Sequence, residues 1–179
     1  FAAGPLDVEL AIVQDATTPA NKYIGLQLNL SEASLVGIDG LTFTVTGSAM
    51  VNQGPAGSAR LDWGLATDHD TNDPDDLLPA FTMDASTALQ VSGSMTLDAF
   101  GFVLASGSFD LYKGEMTVKD GTTTLTDASL LTISLKDVNL FVGVGGAFAA
   151  DDTIDTTDAI GFAAGPLDVE LAIVQDATT

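Results

Sequence analysis

Cysteine is missing altogether, which excludes disulfides, thiolate metal sites and cysteine nucleophiles and leaves stability to the core, the backbone ladder or bound cations. Basic residues are scarce: five Lys and Arg stand against twenty-five Asp and Glu, a formal charge of −20. Nucleic acid and anionic lipid are therefore not expected as partners, because phosphate recognition needs clustered Lys and Arg. Histidine and tryptophan occur once each, at 69 and 63. No apolar run approaches the roughly eighteen residues that span a bilayer as a helix, so no membrane insertion of this segment is expected.

What is present is period-two alternation. Leu6, Val8, Leu10 and Ile12 alternate with Asp7, Glu9 and Ala11, and Ile24, Leu26, Leu28 and Leu30 with Gly25, Gln27 and Asn29, which is how half-buried strands read. The rhythm continues through Leu41 to Val51, Ala59 to Leu65, Leu89 to Leu97 and Phe100 to Val118. Between Leu104 and Phe109 the apolar parity switches from even to odd, and a β-bulge near Ala105 and Ser106 is expected there. Asp39-Gly40 and Asp120-Gly121 predict two-residue hairpin turns with positive φ at both central positions, and Gly54-Pro55-Ala56-Gly57 predicts another turn. Roughly a dozen strands at about 8–12-residue spacing follow, with no helical segment.

Residues 162–179 repeat residues 1–18 letter for letter. Self-similarity at a fixed period is the signature of a repeat architecture, so residues 1–161 read as one complete unit, arbitrarily cut, and residues 162–179 as the start of the next. A strand whose sequence recurs at the seam is the natural bridge between copies. Leu6, Val8, Leu10 and Ile12, with Leu167, Val169, Leu171 and Ile173, are the expected inter-repeat strand, closing an edge that a sheet must otherwise protect. A shorter echo places Gly47, Gly93 and Gly107 mid-strand between small residues; a bend or a close approach is the reason to tolerate glycine there.

Two acidic loops break the apolar rhythm. Asp68, Asp70, Asn72, Asp73 and Asp76 offer alternating oxygen donors of the kind that converge on a hard cation, and Asp151, Asp152, Asp155 and Asp158 form a second set among threonines. Calcium is the ion such donors suit; a solvated acidic loop is the alternative for each. The first loop is not an EF-hand, since Asp73 replaces the turn glycine and position twelve is Pro79. His69 has no sequence cue for an orienting partner or nucleophile, so it reads as an exposed loop imidazole and no enzyme is expected. Trp63 reads as core.

The stretches Lys22-Tyr23-Ile24-Gly25-Leu26, Ala33-Ser34-Leu35-Val36-Gly37-Ile38, Leu97-Asp98-Ala99-Phe100-Gly101-Phe102, Ser106-Gly107-Ser108-Phe109 and Asn139-Leu140-Phe141-Val142-Gly143 resemble the β-rich tandem repeats of giant bacterial surface and secreted proteins of the LEPR-XLL type. The resemblance implies a long, exported, repetitive polypeptide without a catalytic centre, and it carries over no site residue. The fold expected is all-β: long antiparallel-rich strands in an elongated β-solenoid-like or sandwich-like unit continuing into the next copy. The function expected is a structural repeat of an extracellular filament, sheath or adhesin stalk, with neighbouring identical repeats as partners. The alternative is a calcium-dependent adhesion module that recognises polysaccharide or another cell surface.

Overall fold

A computed structural model describes residues 2–67 and 78–176, and no helix occurs among them. Alternation selects strand here because side chains at i and i+2 share one face of a pleated ribbon. The strands are β1 (Ala2–Ala3), β2 (Leu6–Gln14), β3 (Lys22–Ser34), β4 (Leu41–Gln53), β5 (Thr87–Ala99), β6 (Val103–Lys119), β7 (Thr124–Val144), β8 (Ala147–Phe148), β9 (Ile154–Asp155) and β10 (Ile160–Gln175). Eight of them form one antiparallel sheet in the order β1-β3-β4-β5-β6-β7-β10, with β2 also paired to β3, and β8 and β9 make a separate two-stranded pair. The molecule is thus all-β and antiparallel. From β2 to β7 each strand lies beside its successor, and the sheet stays open, with β2 and β10 at its edges.

The strands are longer and fewer than the spacing of turn residues predicts. Leu41 to Val45 and Ala49 to Val51 join through Gly47 into one ladder, because Gly47 sits opposite Gly93 with the register unbroken. Residues 59–65, expected as a strand, are irregular: the N–H groups of Trp63 and Gly64 both donate to Met83 O (3.1 and 3.2 Å), a chain reversal rather than a ladder. Both hairpins form, but in each only the glycine, Gly40 or Gly121, has positive φ. Asp120 instead accepts at Oδ1 from the N–H groups of Thr122 and Thr123 (2.9 and 2.7 Å), closing its turn with a side chain.

Cross-strand rows give the sheet two unlike faces. On one lie Leu6–Leu30–Gly47–Gly93–Phe109–Leu135–Val169, Val8–Leu28–Ala49–Val91–Leu111–Ile133–Leu171 and Leu10–Leu26–Val51–Leu89–Lys113–Leu131–Ile173. The opposite face carries rows such as Asp7–Asn29–Ser48–Ser92–Asp110–Ser134–Glu170. There Thr46 and Ser94 share a hydroxyl hydrogen bond of 2.8 Å, and Ser48 and Ser92 one of 3.1 Å.

Two patches of the polar face are roofed. At one end residues 54–67 and 78–86 lie over β2, β3 and β4, burying Trp63, Phe81 and Met83 against Ala11. Trp63, 2 % exposed as expected of core, packs edge-on to Phe81 with ring centroids 5.4 Å apart. It lies so close to Gly25 that a Cβ there would come within 2.8 Å of the indole. Asn52 fixes this roof: its Nδ2 donates to Leu61 O and Asp84 O (both 2.9 Å), and its Oδ1 accepts from Trp63 Nε1 (3.0 Å). At the other end the β8–β9 segment covers Leu104 and Phe141, with Gly146 against both.

This second roof explains the parity switch. Leu104 points to the roofed part of the polar face, whereas Phe109 and Leu111 point to the apolar face, and β6 keeps its register with β5 from Val103 to Lys113. No bulge lies at Ala105 and Ser106 in that ladder. The extra residue sits on the other side of β6, in β7, where Asp137 has φ of 51° and the pairing steps from Ser106↔Asn139 to Ser108↔Lys136.

Candidate functional site

The two copies of the duplicated segment occupy the two edges of one sheet. In β2, Leu6 lies opposite Leu30 and Ile12 opposite Ile24. In β10, Val169 lies opposite Leu135 and Ile173 opposite Leu131, with shifts on either side of Leu167 that bring it opposite Val138. All eight apolar residues singled out from the repeat are therefore strand residues, paired on one side and about half exposed.

Three features make the two edge strands equivalent. The first is polarity: five strands separate β2 from β10 in an antiparallel sheet, so both run in the same direction. The second is face. The row that starts at Val8 ends at Leu171, the copy of Leu10, and the row that starts at Leu6 ends at Val169, the copy of Val8. One period thus advances the register by two residues, about 7 Å, and an even step keeps every side chain on its own face.

The third is the direction of the backbone groups. Ser31 N–H donates to Pro5 O and Asp15 N–H to Asn21 O (both 3.1 Å). Between these points Asp7, Glu9, Ala11 and Val13 face β3, while Val8, Leu10 and Ile12 present their N–H and C=O groups to the open side. At the other edge, Glu115 N–H donates to Ser86 O (2.9 Å), which turns Tyr112 and Gly114 toward β7. The register carries the alternation across β7, so that Leu131, Ile133 and Leu135 face β10 and meet Ile173, Leu171 and Val169. The backbone groups left open in the first copy are those engaged in the second.

The acidic candidates divide by position. Asp68, Asp70, Asn72, Asp73 and Asp76, together with His69, lie outside the described residues. Asp151, Asp152 and Asp158 lie in exposed turns around β9, and Asp155 is the exposed second residue of β9. Asp151 Oδ1 accepts from the Thr153 hydroxyl (2.6 Å) and N–H (3.3 Å), and Asp155 Oδ1 from Thr157 N–H (2.8 Å). The hydrogen bonds from Thr153 hold the Asp151 carboxyl below the usual carboxylate range, and those from Thr157 do the same for Asp155. Asp152 and Asp158 adopt φ of 62° and 61°, a conformation short polar side chains tolerate at turns. Among the described residues no group of three or more His, Asp or Glu side chains is gathered to hold a metal. Nor is any helix long and apolar enough to cross a membrane.

Sequence reasoning singled out the duplicated segment, which forms β2 and β10, but missed Asn52, whose role depends on Leu61, Asp84 and Trp63 meeting around it. A single asparagine in an alternating run carries no local signal of that. Compared with protein-family models, curated proteins and solved structures, the chain finds no match.

Proposed function

We propose that this chain is a non-catalytic structural repeat of an extracellular bacterial filament, sheath or adhesin stalk, in which residues 1–161 are one unit and residues 162–179 open the next. The observation that carries the reading is the complementary use of one sequence at both edges of the sheet. Laid over each other, β10 of one unit and β2 of the next become a single strand, bonded to β7 behind it and β3 ahead of it. The sheet then continues without an internal edge, six strands to the unit, and the work of the array is mechanical. The acidic composition keeps such an array soluble and away from other polyanions.

Fibre diffraction and electron microscopy of the native material test this. Six strands at about 4.8 Å predict an axial repeat of roughly 29 Å, with the strand spacing along the fibre. Separate globular beads without that repeat would sink the proposal.

A further inference from the structure

The three apolar rows form a surface that the edge pairing does not use. Its central residues, Leu28, Ala49, Val91, Leu111 and Ile133, are only half-buried, screened by lateral neighbours. Among the described residues both roofs, the one over Gly25 and the one over Leu104, lie on the opposite face. Lys113 is the sole charged residue in the three rows. A shallow depression of about 220 Å³ lined by Leu6, Leu28, Leu30, Val45, Val91 and Phe109 lies where Gly47 leaves the surface without a side chain.

We infer that this apolar face docks onto the same face of a second copy of the chain, sheet against sheet. The area fits: seven strands at about 4.8 Å, each contributing three side chains about 7 Å apart, give the rows a face of roughly 700 Å², within the roughly 600–1,000 Å² per partner of a stable interface. An apolar patch of this size is rare on a monomer. The partner's chemistry is set by the face itself, which offers almost no hydrogen-bonding or charged groups and so suits an equally apolar, pleated surface with which side chains interdigitate at about 10 Å between sheets. The depression over Gly47 accepts an apolar side chain from the partner's face. This contact is independent of the edges and requires no continuation of the repeat.

Sedimentation velocity of the 179-residue chain over a micromolar concentration range tests it. The expected species has twice the 18.3 kDa mass. Leu28→Lys and Leu111→Lys each weaken the dimer by about a hundredfold while the far-UV β signal persists, since both side chains stand on a surface of the monomer. Lysine reduces the net negative charge, so a loss of association cannot be ascribed to added repulsion. Val91→Cys supplies a second readout in a chain without cysteine: alkylation slows as the concentration rises through the dimer transition. A chain monomeric throughout, or an alkylation rate indifferent to association, overturns the inference. So does a chain that is monomeric in solution but partitions onto phosphatidylcholine vesicles. Association that survives both lysine variants runs through the edges; it overturns face-to-face docking and leaves the reading of the edges standing. A dimer abolished by lysine in material whose fibres lack the 29 Å repeat does the reverse.

Discussion

Asn52 ties the Trp63 roof to the sheet, because three hydrogen bonds converge on it there and it is 2 % exposed. Asn52→Leu keeps the bulk but leaves the indole N–H and two carbonyls without a partner away from water, and a buried unsatisfied group costs about 1–3 kcal/mol. Denaturant unfolding is expected to give a loss of about 2–4 kcal/mol on that basis. Asp84 acts at the base of the same roof. Its Oδ1 accepts from the Ser86 hydroxyl (2.7 Å) and from the N–H groups of Ser86 and Thr87 (both 2.9 Å), and these bonds, the Ser86 hydroxyl foremost, hold its carboxyl below the ordinary value of 3.8. A carboxyl depressed by folding stabilises fully above its unfolded pKa and loses that contribution as pH falls through the folded one. Asp84→Asn is therefore expected to melt below the wild type at pH 6, with the gap closing as both are acidified toward pH 3.

At the scale of the strand, identical substitutions in the two copies should have unequal effects. Leu171 turns its N–H toward β7, whereas the N–H of Leu10, the same position in the first copy, faces outward. Proline removes the donor. In Leu171→Pro the amides of Leu131, Ile133 and Leu135 are expected to lose protection from hydrogen exchange by about tenfold or more, the worth of one ladder bond. In Leu10→Pro the amides of β3 keep theirs. Equal losses in both variants would contradict the assigned backbone directions. Most strands were legible from alternation, as was the oddity of glycine at 47 and 93, but β7, the longest, was not among the alternating runs, and residues 59–65 alternate without forming a strand. That the two glycines face each other, with the Phe109 ring 3.0 Å from where a Gly93 Cβ would lie, was not legible, since it needs the register of three strands.

For the whole molecule, the formal charge of −20 opposes any assembly of copies. Screening shortens this repulsion, with a Debye length of about 30 Å at 0.01 M salt and about 10 Å at 0.1 M. Association measured by light scattering is thus expected to strengthen as sodium chloride is raised between these concentrations. Weakening instead would mean that ion pairs, and not apolar or backbone contacts, join the copies. The candidate site was legible only in part, because the duplication marks two equivalent segments but does not say which edge of each strand is open.

Composition and periodicity alone determined the all-β state, the contrast between the two sides of each strand and the acidic, cysteine-free surface, because each follows from local spacing or from residue counts. Tertiary structure alone decided that Leu104 and Phe109 face opposite sides, that residues 59–65 cap the sheet instead of joining it, and that the duplicated strand uses complementary edges. Alternation says which side chains share a face but not which neighbour the backbone bonds to. That choice is made by non-local pairing, summed over many cross-strand contacts, each too weak to be seen in any one stretch of sequence.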